Sequence, residues 1–335
     1  MRWCKTRIVH ITDYGVKVGL TGSALNIRSK HGSIKVPLSE IDVIILASSG
    51  ISISSRVLRK LVTTGIELIV LDSRGLPIGI LYASHYTRTP LTRRAQYQAY
   101  TSNLGVAIAC SIAKCKAMTQ ASVLRRISID LAIRELGEDA RRIVEKASNF
   151  DLNTLPSTLD DARGLIMGFE AETARIYWSS LALTLPGDVG FNGRDRDSND
   201  PFNISLNYAY GILYGLVWRA LVLAGLDPYA GFLHVDRSGK PVLAFDYIEM
   251  WRAPIIDEIL VKAFRRGWRP IVESERLSYS SRADIAKLVA DRLRQACPGA
   301  YRYMTFNEAI RGYALRLAES LRRSTPYQCY TGEWA

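Results

Sequence analysis

The sequence predicts an α+β fold with two domains: a small N-terminal β domain and a larger, mainly α-helical C-terminal domain. Short apolar runs of the kind typical of strands fill residues 1–83, whereas apolar residues recur at the helical period over residues 93–335. The polar stretch between them, residues 84–92, contains Thr89-Pro90 and is typical of a linker. A chain of 335 residues is also long enough for two hydrophobic cores.

Five apolar segments predict strands of the β domain. Two alternate apolar and polar residues and three are continuous, and they lie at 15–19, 33–36, 43–46, 68–71 and 78–81. One helix is predicted from Ser54 to Thr64, because serines precede it as caps and Gly65 ends it.

Helices are predicted in the C-terminal domain at 91–117, 119–135, 137–148, 157–183, 203–224, 244–265, 282–296 and 305–323. The stretch 206–226 approaches the length of a membrane span, but Arg219 and Asn207 interrupt its apolar character. A helix in a protein core is therefore the better interpretation, and no membrane association is predicted.

An excess of basic residues indicates a polyanionic partner. The chain has 44 Lys and Arg against 32 Asp and Glu, which gives a net charge of +12. Residues 84–129 contain no acid, and the positive charges there are Arg88, Arg93, Arg94, Lys114, Lys116, Arg125 and Arg126. Such a segment favours binding of nucleic acid phosphates, although a generic basic surface would have the same charge balance.

The cysteines favour free thiols over a disulfide framework or a zinc site. Their number is 5, which is odd, and no Cys-x-x-Cys pair occurs. The N-terminal segment also lacks the apolar stretch of a signal peptide. A cytoplasmic protein with reduced, buried thiols is therefore expected.

One histidine and two acids that follow it are candidate catalytic residues. His234 ends a turn-rich segment, and Asp246 and Glu249 lie three apart on one face of a predicted helix, where both could reach one cation. A histidine with carboxylates and no thiolate suits Mg²⁺ or Mn²⁺. The alternative is that these acids are solvated residues at a helix start, and the spacing by itself favours that alternative.

Glu170 is distinguished by the apolar face of the helix on which it lies. Met167, Ala174 and Tyr177 share this face and are expected to point inward, whereas Glu172 points outward. Burying a carboxylate without a partner is costly, so Glu170 needs either an ion-pair partner or a metal cation.

A polar loop before residue 201 carries Arg194 and Arg196. These arginines could pair with the acids around them or contact phosphate. The asparagines that follow, Asn203 and Asn207, are typical of loop and cap positions.

Four motifs resemble those of the CRISPR-associated integrases that insert new spacers into a repeat array. Residues 168–177 are similar to the family's Gly-x-Glu-Gly-x-Ala-Ala-Arg-x-Tyr, and residues 200–208 resemble Asp-x-x-Asn-x-x-Leu-Asn-Tyr. Residues 225–234 match Gly-Leu-Asp-Pro…Gly-Phe-Leu-His, and residues 246–254 resemble Asp-Leu-x-Glu-x-Phe-Arg-Pro-Pro. The motifs keep the family's order, and the departures Ala171, Thr173 and Ala253 remove no ligand.

The resemblance implies a metal-dependent DNA endonuclease and integrase with Glu170, His234, Asp246 and Glu249 as catalytic residues. Glu170, His234 and Glu249 would bind Mg²⁺ or Mn²⁺, and Asp246 would orient a ligand or bind a second ion. DNA phosphates would be held by Arg88, Arg93, Arg94, Arg125, Arg126, Arg194, Arg196 and Arg252.

The resemblance also implies partners and a reaction. The partners would be a second copy of the chain, docked through the β domain, and a small ferredoxin-like adaptation subunit. The reaction would be attack of a 3′-hydroxyl of incoming DNA on a phosphodiester at the edge of a repeat. Two alternatives stay open: a repair nuclease that acts on branched DNA, and a DNA-binding scaffold without catalysis.

Overall fold

The computed structural model describes residues 7–72, 75, 77–83, 90–273, 276–301 and 303–333. The predicted α+β class is confirmed, with strands in the N-terminal part and mainly helices after it. The domain boundary at residue 83 and the linker over residues 84–92 stay predictions, and residues 84–89 lie outside the described part of the chain.

In the described residues, the N-terminal part contains two four-stranded sheets, one α-helix and a short 3-10 helix at Leu38–Glu40. Its elements are β1 (Arg7–Ile11), β2 (Lys17–Thr21), β3 (Ala24–Ser29), β4 (Gly32–Pro37), β5 (Ile41–Leu46), β6 (Ser52–Ile53), helix α1 (Ser55–Thr64), β7 (Glu67–Leu71) and β8 (Pro77–Leu81). One sheet has the order β1-β5-β7-β8, and the other has the order β4-β3-β2-β6. In the first sheet β1, β5 and β7 are parallel, and β8 pairs antiparallel with β7.

The caps of α1 agree with the sequence prediction. The Ser54 hydroxyl accepts a hydrogen bond from the backbone N–H of Val57, and Gly65 ends the helix with φ of 73°. A left-handed φ at this position is what a glycine after a helix provides.

Strand β5 contains a continuous apolar run whose two faces are both buried. Ile44 and Leu46 pack into a core with α1 and the second sheet, whereas Val43 and Ile45 pack into the core that the helices form. Because successive strand residues point to opposite faces, the continuous run places β5 between the two cores.

The remaining residues form helices and one short hairpin. The helices are α2 (Pro90–Tyr100), α3 (Asn103–Leu131), α4 (Arg134–Asn149), α5 (Leu159–Ala182), α6 (Pro201–Leu223), α7 (Val242–Arg252), α8 (Glu258–Arg265), α9 (Tyr279–Arg294) and α10 (Phe306–Arg323). The hairpin pairs β9 (Val272–Glu273) with β10 (Arg276–Leu277).

The predicted break between helices near residue 118 was wrong, because α3 runs unbroken for 29 residues. The chain turns at residues 101–102 instead, where the Ser102 hydroxyl caps α3 by accepting from the Leu104 N–H. Gly105 allows the close turn, since a Cβ there would lie 2.5 Å from the carbonyl oxygen of Ala99.

The predicted helix 244–265 is also divided. A π-helical turn, Ala253–Asp257, separates α7 from α8 and includes Pro254. Proline has no N–H to donate within a helix. The Arg292 side chain of α9 donates to the Pro254 carbonyl oxygen at 2.9 Å, and single-turn π-bulges of this kind are frequent at functional sites.

Helix α6 is buried in the protein core, as predicted. It is the one described helix long and apolar enough to cross a membrane, but 78% of its apolar window is buried inside the protein. It packs against the N-terminal part so closely that a Cβ at Gly211 would lie 1.7 Å from the carbonyl oxygen of Gly75.

Arg219 joins α6 to the first sheet through buried charges. Its guanidinium contacts Asp42 of β5 at 3.0 Å and Glu67 of β7 at 2.5 Å, and all three side chains are buried. Arg311 of α10 also pairs with Asp42. The residue that interrupts the apolar pattern of α6 therefore fastens the two parts together.

The expectation of free thiols was wrong for two cysteines. Cys115 of α3 and Cys329 form a disulfide bond across a sequence separation of 214 residues, whereas Cys110 and Cys297 are free and buried. This pairing ties the segment after α10 to α3.

Candidate functional site

Asp246 is fully buried and fixes the segment that ends in His234. One of its carboxylate oxygens accepts from the backbone N–H groups of Phe232 and Leu233, at 2.6 and 2.9 Å. The other lies 3.0 Å from the backbone N of His234 and 2.7 Å from its ring Nδ1. Both oxygens are thus engaged, and Asp246 acts as an orienting residue.

The imidazole of His234 is therefore held with a defined ring nitrogen available. Nδ1 faces Asp246, which leaves Nε2 as the ring atom that a cation could contact. Burial lowers the pKa of His234, but the hydrogen bond and charge of Asp246 outweigh this, so the pKa lies above its ordinary value.

Glu170 and Glu249 come together from α5 and α7 around one cation. The Lys116 ammonium of α3 pairs with Glu170 and lies 2.7 Å from the second oxygen of Glu249. Burial lowers the pKa of Lys116, but the charges of Glu249 and Glu170 raise it above its ordinary value. The predicted partner of the carboxylate on the apolar face of α5 is thus, in this structure, a lysine.

Arg252 is the second cation beside Glu249. Its guanidinium lies 2.5 Å from Glu249 and stacks 4.9 Å from the centre of the Tyr210 ring. The Tyr210 hydroxyl donates to Asp257 in the π-helical turn at 2.5 Å. Burial raises the pKa of Glu249, but Arg252 and Lys116 lower it to about 2, so this carboxylate is charged at neutral pH.

A cleft of about 890 Å³ opens over His234 and Glu249. Its lining includes six basic side chains and two acidic ones, so it favours an anionic ligand. The basic residues are Arg194, Arg196, Arg237, Lys240, Arg252 and Arg276. Glu170 does not line this cleft, although Met167, one turn earlier on α5, does.

The loop that carries Arg194 is fastened to the start of α6. The Arg194 guanidinium donates to the side-chain oxygens of Asn203 and Asn207, at 2.8 and 2.6 Å. Asp200 caps α6 by accepting from the backbone N–H of Asn203 at 2.8 Å. The two asparagines therefore hold one wall of the cleft, while Arg196 is exposed on it.

In the described part of the acid-free segment, three of the basic side chains on α3 contact other parts of the protein, because α3 is buried on most sides. Lys114 donates to the Phe150 carbonyl oxygen, and Lys116 points into the carboxylate pair. Arg126 is paired with Glu258 at 2.9 Å. Their charges therefore serve contacts between helices.

Seven of the eight predicted DNA-binding arginines lie in the described part of the chain, and they are dispersed. Arg194, Arg196 and Arg252 line the cleft. Arg93 and Arg94 lie on α2 and Arg125 and Arg126 on α3, none of them in the cleft lining, and Arg88 lies outside the described residues.

Two details of the predicted site differ from expectation. Asp246 and Glu249 do not converge on one cation, because Asp246 is turned toward the His234 segment. Met167 is 39% exposed rather than inward-facing, because the face of α5 near Glu170 borders the cleft. Lys116 is a site residue that the sequence did not reveal. It stood out only as one of the positive charges in the acid-free segment.

The chemistry of the donor set fits a divalent cation. Two carboxylates already share one positive charge, and His234 offers an oriented imidazole nearby. Within the described residues no three His, Cys, Asp or Glu side chains are gathered for a metal ion. The carboxylate pair is gathered around the Lys116 ammonium instead.

Replacing Asp246 with Asn is expected to weaken binding of a divalent cation roughly 10- to 100-fold, as removal of a residue that orients a ligand does. The amide keeps the volume but loses the charge and one acceptor that hold the His234 segment. Titration calorimetry with Mn²⁺ measures the effect. Asp236→Asn in the same segment is the control, and equal affinities for both variants would contradict the orienting role.

Comparison with known proteins identifies the family of the chain. The model of the family described as CRISPR associated protein Cas1 matches residues 9–282. A CRISPR-associated endonuclease Cas1 of Saccharolobus solfataricus is 34% identical over 324 residues, which cover 96% of this chain and 97% of that protein. Another, of Pyrobaculum aerophilum, is 36% identical over 258 residues, covering 76% of this chain and 81% of that protein.

Solved structures share the fold. A casposase bound to integration product superposes with a TM-score of 0.82 at 21% identity, covering 97% of this chain and 93% of that one. A CAS1 protein from Thermotoga maritima gives a TM-score of 0.76 at 17% identity, covering 98% and 100%. From the family match over most of its length and the identities to these relatives, the chain belongs to the Cas1 family of CRISPR-associated proteins.

Proposed function

We propose that the protein is a metal-dependent DNA endonuclease and integrase that inserts new spacer DNA into a CRISPR array. The observations that carry the proposal are the Glu170–Glu249 carboxylate pair held by one cation, and the basic cleft that Glu249 and the oriented His234 line. Relatives at 34% and 36% identity are named endonucleases, and the casposase that shares the fold is bound to an integration product.

The proposed reaction is transesterification at phosphorus. The oxygen of an incoming 3′-hydroxyl forms a bond to the phosphorus at the repeat edge, and the bond to the 3′-oxygen of the cut strand breaks. The proton of the attacking hydroxyl is lost and the departing 3′-oxygen gains one. With water in place of the hydroxyl the same site hydrolyses DNA.

The chain supplies ligands, charge and position for this reaction. Glu170, His234 and Glu249 would hold Mg²⁺ or Mn²⁺, which when bound polarises the phosphate and lowers the pKa of the attacking hydroxyl. Arg252 is fixed between Glu249 and the Tyr210 ring, and its guanidinium would offset negative charge on the phosphate. Arg194, held by two asparagines, and Arg196 would hold the DNA backbone without reading sequence.

The remaining predictions about assembly belong to this proposal. The protein would act in the cytoplasm, in antiviral defence, as a homodimer joined through its β domain, with a small ferredoxin-like subunit. A Cas6-RT-Cas1–Cas2 complex contains a chain that shares the fold at a TM-score of 0.76, 17% identity and 98% coverage of this chain, although this chain covers 36% of that one. That likeness is in line with a Cas2-type partner.

A strand-joining assay tests the proposal. A labelled duplex with free 3′-hydroxyls is incubated with a supercoiled plasmid that carries a CRISPR repeat, in Mg²⁺, Mn²⁺ or a chelator. We expect label to join the plasmid only with a divalent cation. A duplex that ends in 3′-dideoxynucleotides is the matched control and should not join, because it lacks the attacking oxygen.

The alternatives are separated by running the same assay beside one in which a Holliday junction is the substrate. Cleavage of a Holliday junction without joining would favour a repair nuclease. Binding of DNA with neither cleavage nor joining would favour a scaffold. Either result would overturn the proposed integrase activity.

A further inference from the structure

Lys116 links the three helices that build the carboxylate pair. It lies on α3, and its ammonium contacts Glu170 of α5 and Glu249 of α7. The lysine side chain is 14% exposed, Glu170 is 19% exposed and Glu249 is 4% exposed. The three charged groups are therefore largely withdrawn from water, and Lys116 and Glu170 keep a small exposed surface.

In the metal-free protein, the Lys116 ammonium offsets the repulsion between the Glu170 and Glu249 carboxylates. Two carboxylates held close together in a poorly solvated place repel each other and are costly to bury without a cation. The Lys116 ammonium supplies that cation from within the chain. It also occupies the position between the two carboxylates that a metal ligated by both would take.

We infer that Lys116 is a positioning residue that holds Glu170 and Glu249 in the metal-free protein and that a divalent cation binds by displacing its ammonium. This inference rests on the proposed metal dependence. The measured affinity for the cation then depends on the difference in free energy between two states. In one the ammonium lies between the carboxylates, and in the other the metal does.

Opposite effects on two observables follow from removing the ammonium. The metal-free protein loses the cation that offsets the carboxylate pair, so it becomes less stable. The metal meets no competing charge, so it binds more tightly. A lysine that only packs between helices would show the first effect without the second.

Lys116→Met and Lys116→Gln are the variants, and Mn²⁺ is the probe. We expect the Kd for Mn²⁺ by titration calorimetry to fall roughly tenfold or more in each variant, because a like charge is removed from the site. In chelator, the Tm is expected to fall by roughly 5 °C or more, since one partner of a buried ion pair is lost. The rise in Tm on adding Mn²⁺ should be larger than in the wild type.

Lys114→Met is the matched control. Lys114 lies one half-turn earlier on α3, and its ammonium donates to the Phe150 carbonyl oxygen at 2.9 Å rather than to the carboxylate pair. It should leave the Kd for Mn²⁺ unchanged. Any loss of Tm that it causes measures the cost of removing a partly buried lysine from this helix.

The outcomes separate this inference from the proposed function. If the wild type binds no Mn²⁺, the metal dependence fails and the inference falls with it. If the wild type binds Mn²⁺ and both Lys116 variants bind it equally or more weakly, the displacement idea is wrong while the proposed function stands. Tighter binding in the folded variants, with the Lys114→Met value unchanged, supports the inference.

Discussion

Strand joining is expected to fall roughly 10³-fold in Glu170→Ala and in His234→Ala, because each variant removes a proposed ligand of the metal ion that would offset charge on the reacting phosphate. The wider cleft keeps its arginines in both variants, so affinity for duplex DNA should change little. Joining rates in Mn²⁺ and binding by fluorescence anisotropy measure the two effects separately.

Glu172→Ala is the matched control for Glu170→Ala. It lies two residues further on α5, and its carboxylate is 53% exposed and paired with Lys146 at 2.6 Å on the surface. We expect wild-type joining from this variant. If Glu170→Ala or His234→Ala joined strands at the wild-type rate in Mn²⁺, the assignment of the site would be wrong.

Arg219→Met is expected to lower the free energy of unfolding by about 3–5 kcal/mol, the usual effect of removing one partner from a buried charge cluster. Asp42 and Glu67 would stay buried at the contact between the first sheet and α6 with less positive charge to offset them. Asp42 would keep its contact with Arg311 of α10, whereas Glu67 would lose its contact with Arg219. Unfolding in urea at neutral pH, followed by circular dichroism, measures the change.

A surface ion pair provides the control for the Arg219 experiment. Arg142 pairs with Asp139 at 2.9 Å on α4, and its side chain is 63% exposed. Arg142→Met should therefore cost less than about 1 kcal/mol. A loss for Arg219→Met no larger than this would show that the buried cluster does not fasten the two parts of the protein.

The acids of the candidate site could be found in the sequence, but their roles could not. Glu170 stood out because an acid on an apolar helix face needs a partner, and His234 and Glu249 stood out through their motifs. The identity of the Glu170 partner depends on which helix packs beside α5. The structure shows that it is α3, which brings Lys116 from 54 residues away.

The role of Asp246 illustrates the same limit. Its spacing from Glu249 predicted two carboxylates on one face, and both residues do lie on α7. Which of them faces a cation depends on the backbone of residues 232–234, whose N–H groups turn toward Asp246. The local sequence pattern determines the helix face on which a side chain lies, and the packing of other chain segments determines what that side chain contacts.

By itself the sequence determined what short-range chemistry controls: the caps of α1, the continuous apolar run of β5 and the apolar character of α6. Tertiary structure alone decided the pairing of Cys115 with Cys329 and the placement of Lys116 between Glu170 and Glu249. These contacts join residues far apart in the chain, and their energies depend on burial and on partners that appear only when the helices pack.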